Sequence, residues 1–114
     1  MVTYNGKTLM RKTYDNPFDC PVTRTVAYIE GRWKPIILFL LIDKPLRFGK
    51  LAMFMPSISK KILTQQLREL EEDGLVIRHA FKEIPLRVEY ELSQTGRSFL
   101  PVMMAMKEWG KTAN

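Results

Sequence analysis

The stretch Ser57–Val76, SISKKILTQQLRELEEDGLV, constrains this chain more than any other. Ser59 suits an N-cap, because its short hydroxyl stands just before a periodic run and can accept from a free backbone N–H. Leu63, Leu67 and Leu70 recur at spacings of four and three, so they share one face and point into a core. Lys60, Lys61, Thr64, Gln65 and Arg68 fall on the opposite face. Gly74 stops the helix, as it takes the left-handed C-cap conformation without a Cβ penalty. The predicted helix, Ser59–Asp73, therefore has an apolar back and a cationic, hydrogen-bonding front. A DNA major groove asks for such a helix: the N-terminal dipole and Lys favour phosphate, while Gln, Thr and Arg reach base edges. The alternative is a surface helix with a solvated polar face.

What surrounds this helix can be bounded. A chain of 114 residues makes one domain with a real core. Its net charge of +6 points to an anionic partner. The longest apolar run, Pro35–Ile42, is far short of the roughly 18–20 residues that span a bilayer. The start, MVTYNGKTLMRK, has no apolar signal region, so a cytoplasmic protein without membrane association is expected. The single cysteine, Cys20, excludes an intramolecular disulfide, and no metal-ligand pattern exists. No Gly-rich phosphate loop, Ser/His/Asp set or paired-carboxylate pocket supports an enzyme, and no cofactor is expected. His79 has no orienting cluster and reads as structural or solvent-facing.

In chain order, residues 1–19 read as a loosely ordered arm, with Tyr14 and Phe18 as anchors to a partner subunit. The domain runs over 20–111. Cys20–Glu30 is a helix with Pro21 in its first turn and Val22, Val26 and Ile29 at helical spacing; Gly31 ends it. Trp33–Ile42 is a helix buried on most sides, since Pro35 fits a first turn better than a central strand. Arg47–Met55 is a short amphipathic helix with Phe48, Leu51, Ala52 and Met55 inward. A tight turn, Pro56-Ser57-Ile58, then leads into Ser59–Asp73, which makes a helix-turn-helix. Arg47 and Lys50 would lie near the DNA backbone, and the hydroxyls of Ser57 and Ser59 join the DNA-contacting set.

Val76–Glu83 and Arg87–Leu92 read as two strands, the second with Val88, Tyr90 and Leu92 inward. Pro85 belongs at the tip between them. A hairpin directly after such a helix is a wing, and Lys82 and Arg87 flank its tip, within reach of a minor groove or phosphates. The alternative is a hairpin edge blunted by charge. Glu71, Glu72 and Asp73 form a solvated C-terminal turn where the helix dipole disfavours them; surface solubility or pairing with Arg68 and Arg78 would account for them. Ser93–Lys111 is the last helix, kinked or adjusted at Pro101. Its stripe of Phe99, Val102, Met103, Met106 and Trp109 either packs on a second subunit, the reading favoured here, or folds back on its own core. The fold class is mainly α with a small β-hairpin: a winged helix-turn-helix with N- and C-terminal dimerisation helices.

An ordered set of short motifs spans residues 20–110: Cys20-Pro21-Val22; Gly31-Arg32-Trp33-Lys34; Arg47-Phe48 and Leu51; Ile58-Ser59; Leu63-Thr64-Gln65-Gln66-Leu67-Arg68-Glu69-Leu70-Glu71; Asp73-Gly74-Leu75-Val76; Val88-Glu89-Tyr90; Leu92-Ser93; Gly96; Glu108-Trp109-Gly110. In this set the chain resembles the HxlR-type (DUF24) family of bacterial transcriptional regulators. The resemblance implies a dimeric repressor or activator on pseudo-palindromic double-stranded DNA. It implies a dimer built from N- and C-terminal helices, and effectors that are oxidants, electrophiles or aldehydes. It also implies that the cysteine of the Cys-Pro pair, here Cys20, senses oxidants in some members through an intersubunit disulfide or an adduct. Many members carry Gly-Gly-Lys-Trp where this chain has Glu30-Gly31-Arg32-Trp33, and many have further cysteines. Sensing here would therefore use Cys20 of two subunits, an adduct on one, or no thiol at all. The chemistry gives Cys20 partial support: a helix N-terminus lowers a thiol pKa and Arg24 adds positive charge, while Pro21 removes one helpful N–H. Two alternatives remain beside the thiol-switched regulator: a regulator answering to a small ligand at the dimer interface, and a winged-helix protein–protein module.

Overall fold

The structure, a computed structural model, describes residues 2–9 and 13–113. Its architecture follows from short amphipathic segments punctuated by Gly and Pro. Two strands, β1 (Val2–Tyr4) and β2 (Lys7–Leu9), pair antiparallel. The turn between them places Asn5 at φ 52° and Gly6 at φ 76°, the left-handed pair that a two-residue hairpin loop requires. A single 3-10 turn, Pro17–Asp19, follows, capped by the Asn16 side chain. The segment 1–19 expected as a loose arm therefore carries a hairpin and a capped turn within its described residues.

Helix α1 (Pro21–Ile29) starts at the N-cap Cys20, and α2 (Lys34–Leu40) starts at Trp33 with Pro35 in its first turn. The apolar run of α2 is less enclosed than expected. Ile37 and Leu38 are buried, but Ile36 and Phe39 are about two-fifths exposed, and Lys34 is buried instead. The helix expected over Arg47–Met55 gives up its first residue to a strand. β3 (Leu46–Arg47) pairs with β5 (Arg87–Leu92), and α3 (Phe48–Phe54) follows with Leu51 and Met55 in the core.

Helix α4 (Lys60–Glu72) forms as its periodicity demands. Ser59 Oγ accepts from Ile62 N at 3.1 Å, and Leu63, Leu67 and Leu70 are completely buried. Its end is a Schellman motif, with Gly74 at φ 79°, Leu75 N donating to Leu70 O at 2.9 Å and Gly74 N to Glu71 O at 3.0 Å. β4 (Val76–Phe81) pairs antiparallel with β5, in the register Val76↔Leu92 through Phe81↔Arg87, and the sheet order is β3-β5-β4. β4 stops at Phe81, so Glu83 belongs to the tip.

The last segment is two helices, where one kinked helix was expected. α5 (Gln94–Ser98) is capped by Ser93, and α6 (Leu100–Thr112) restarts after Phe99 with Pro101 in its first turn. Proline at that position forfeits no hydrogen bond, so the chain breaks before it instead of bending around it. The core joins α2, α3, α4 and the sheet: Ile37, Leu38, Leu41, Leu51, Leu63, Leu67, Leu70, Val76, Tyr90 and Leu92. The radius of gyration, 17.1 Å over extents of 61 × 31 × 24 Å, exceeds the ~13 Å of a compact chain of this length. Among the described residues no helix is long and apolar enough to cross a membrane, and no group of His, Cys, Asp and Glu is placed to hold a metal.

Candidate nucleic-acid interface

Burying three leucines on one side of α4 fixes what stands on the other. Lys60, Lys61, Thr64, Gln65 and Arg68 are all exposed and together line one shallow depression on the surface. Among the described residues none of the three cations is ion-paired with a carboxylate. The face thus presents three unneutralised charges and two hydrogen-bonding side chains at a helix whose N-terminus is itself positive. Ser59, placed in the same set from sequence, has its hydroxyl committed to the cap. Ser57 is exposed in the turn.

Arg47 and Lys50 do come together, but in a second depression with Lys44, Gly49 and Glu89. Lys50 Nζ also lies 5.6 Å from the centre of the Phe54 ring. Lys44 was missed from sequence, where it served only as part of the break after the second helix. Its place one turn of chain from Arg47 was the available signal.

The wing differs from expectation in its charge. Arg87 does not reach outward. Its Nε donates to Glu83 Oε2 at 2.5 Å and its Nη1 to Glu89 Oε2 at 2.8 Å, and its guanidinium lies 3.9 Å from the centre of the Phe81 ring. The hydrogen bond that Arg87 donates to Glu83 does most to raise the Arg87 pKa; burial opposes it, and the charges of Glu83 and Glu89 and the bond to Glu89 add smaller effects in the raising direction. Two carboxylates and an aromatic face thus hold Arg87 within the hairpin, leaving Lys82 as the exposed cation at the tip. The fully exposed Ile84 and the largely exposed Leu86 share that tip. His79 Nε2 meets Glu91 Oε1 at 2.8 Å across the strands, as suits a structural histidine. Of the two accounts of the acids 71–73, pairing with Arg68 and Arg78 is absent among the described residues, and all three acids are exposed.

Cys20 is half-buried at the N-cap of α1. Its pKa is lowered first by the backbone amide of Thr23, then by that of Val22; burial opposes this, while the Thr23 side chain and the Arg24 charge add smaller effects in the lowering direction. Arg24 spends a donor on the carbonyl of Phe18 at 2.7 Å, which ties the 3-10 turn to α1.

The apolar stripe of α6 divides. Met103 is 7 % exposed in the core of its own chain and Phe99 packs against that core, so these two follow the alternative in which the helix folds back. Val102, Met106 and Trp109 remain exposed, as do Tyr14, Phe18, and Val22, Val26 and Tyr28 of α1. A groove of about 280 Å³ lies beside them, lined by residues of α2 and α6 that include Ile36, Phe39, Met106 and Lys107.

With this geometry in view, comparison with known proteins is decisive for the family. The profile described as HxlR-like helix-turn-helix matches residues 28–114. The chain is similar to the HTH-type transcriptional regulator YybR of Bacillus subtilis (strain 168), with 42% identity over 102 residues, 90% of this chain and 82% of that protein. Among solved structures it is similar to the redox regulator HypR in its reduced form, at a TM-score of 0.80 and 43% identity, over 82% of this chain and 92% of that one. It is also similar to the reduced form of the transcriptional regulator YodB from B. subtilis, at a TM-score of 0.72 and 32% identity, over 82% of this chain and 93% of that one. The chain belongs to the HxlR-like helix-turn-helix family, and it is a transcriptional regulator and not an enzyme.

Proposed function

We propose that the protein is a homodimer that binds a pseudo-palindromic DNA operator, with α4 in the major groove of each half-site. The observation that carries this reading is the front of α4: Lys60, Lys61, Thr64, Gln65 and Arg68, exposed together and free of carboxylate partners, over a buried leucine back. Lysines serve phosphate, while Gln65 and Arg68 have the donor and acceptor geometry for adenine and guanine edges. Lys82 at the wing tip adds a backbone or minor-groove contact, and the cluster of Lys44, Arg47 and Lys50 a further one to phosphate. Arg87 is left out of this set because Glu83 and Glu89 neutralise its charge and hold its guanidinium against the Phe81 ring within the wing. The dimer is supported by the exposed apolar faces of α1 and α6, which a single chain leaves uncovered.

Footprinting on a duplex selected by the protein from a randomised library tests the reading. Two protected half-sites about one helical turn apart are expected of a two-fold dimer. Protection of a single half-site, or none, contradicts it.

A thiol switch at Cys20 is the second part of the proposal. It is supported by the lowered pKa at the N-cap and by the similarity to HypR, described as a redox regulator. Oxidation would join Cys20 to the same residue of the partner subunit or to a small thiol. Cys20→Ser should then keep DNA binding and lose its response to oxidant. If binding is indifferent to oxidant in the unmodified protein, the apolar groove between α2 and α6 becomes the site of a small-molecule effector instead.

A further inference from the structure

Lys34 is the one buried charged side chain among the described residues, 5 % exposed at the first position of α2. A buried ammonium is costly unless paired. Its Nζ meets Glu69 Oε1 at 2.8 Å, and Glu69 stands on the third turn of α4 with its side chain 38 % exposed. The pair therefore joins the start of α2 to the flank of α4. Glu69 also lies four residues after Gln65, so the two side chains are neighbours on the helix surface. The Lys34 hydrogen bond holds the Glu69 carboxyl below its ordinary value of 4.5; burial opposes this, and the Lys34 charge and, last, the neighbouring Gln65 amide add to it. With Lys34 on one oxygen, the carboxylate keeps further acceptor sites for a neighbouring amide. Removing one partner of a buried ion pair is costly when the charge left behind is buried, but the Glu69 side chain is 38 % exposed and keeps access to water, so core stability does not demand the Lys34 ammonium.

We infer that Lys34 is a positioning residue for sequence readout: by anchoring Glu69 it fixes α4 against the core and orients the Gln65 amide toward the base edges. A bidentate Gln contact to adenine requires both amide atoms in place, so a small rotation of the side chain or its helix forfeits it. The inference rests on the reading of α4 as the DNA-contacting helix.

The test measures binding of the full-length protein to two duplexes, one selected by the unmodified protein from a randomised library and one of random sequence. Lys34→Met should melt at or above the unmodified protein and bind the random duplex with unchanged affinity and salt slope. It should lose about tenfold on the selected duplex, the scale of one base contact. Gln65→Ala added to Lys34→Met should cost little more, since both act through one contact. A residue that merely packs would lower both affinities equally. An unchanged ratio of selected to random binding, or fully additive losses, overturns the inference. Should Lys34→Met fail to fold, Glu69→Gln carries the test in its place: it should melt lower, because the buried Lys34 ammonium loses its carboxylate, and, measured well below that melting temperature, a reduced ratio of selected to random binding supports the inference and an unchanged ratio overturns it. If the unmodified protein enriches no sequence at all, the reading of α4 itself falls, and the inference with it.

Discussion

Gly96 lies directly against the carbonyl of Leu75. That oxygen already accepts from Ser93 N at 3.0 Å, and a Cβ at Gly96 would collide with it while coming within 3.2 Å of the carbonyl carbon. Ser93 Oγ donates to the neighbouring Gly74 carbonyl at 2.5 Å and accepts from Gly96 N at 3.0 Å. The exit of α4 and the entry of α5 are thus one joint, closed by a residue without a side chain. Gly96→Ala should destabilise the fold by about 1–3 kcal/mol, the cost of overpacking against rigid backbone. Thermal unfolding should show a melting temperature lower by roughly 5–15 °C; an unchanged value would mean that the joint gives way freely.

Gln65→Ala should relax sequence choice at one base pair by about 1–3 kcal/mol while leaving random duplex binding unchanged. Competition among single-base operator variants checks this. Equal weakening on every sequence would remove Gln65 from the base-reading set.

The two wing cations should separate in salt titrations. Lys82→Ala should weaken all sequences about equally and lower the slope of log K against log salt by about one. Arg87→Ala should act mainly on the hairpin, whose acids Glu83 and Glu89 lose their shared partner, and should show as a lower melting temperature. A larger change in salt slope for Arg87→Ala than for Lys82→Ala would place Arg87 on phosphate after all.

Cys20 should alkylate as a lowered-pKa thiol. Its ordinary value is 9.0, and stabilising the anion by the Thr23 and Val22 amides moves titration downward. The thiolate fraction at neutral pH therefore rises, and the rate of reaction with iodoacetamide should inflect at a lower pH than for a free cysteine. A rate profile that matches the free amino acid would contradict an activated thiol.

Dimerisation should respond to the exposed faces of the terminal helices. Val26→Glu or Trp109→Glu should shift the protein toward monomer in sedimentation velocity, since both side chains are exposed in the single chain. Met103→Glu should instead impair folding, because Met103 belongs to the core of its own chain.

These differences trace what residue patterns carry. α4 was legible because its cap, its leucine spacing and its terminal glycine agree on one helix, and the front face followed from the back. The β1–β2 hairpin was legible too, through Asn5-Gly6, but the polar composition of 1–19 outweighed that local turn signal. β3 was not: a two-residue strand has no period of its own, and Leu46–Arg47 is a strand only because β5 lies beside it. The neutralisation of Arg87 needed both the turn that brings Glu83 back and a side-chain choice toward Glu89. The pairing of Lys34 with Glu69 joins residues 35 apart in a chain whose spacing says nothing of it. The split of the α6 stripe depended on where the core ends, which only the packed chain decides.

The central claim is that the front of α4 selects DNA by sequence. Fluorescence anisotropy of the purified protein on duplex from upstream of its own gene, against random duplex at two salt concentrations, tests it most directly. The account predicts tighter binding to the upstream duplex at both salts, with affinity for each falling steeply as salt rises. Equal binding to both duplexes, insensitive to salt, would contradict it.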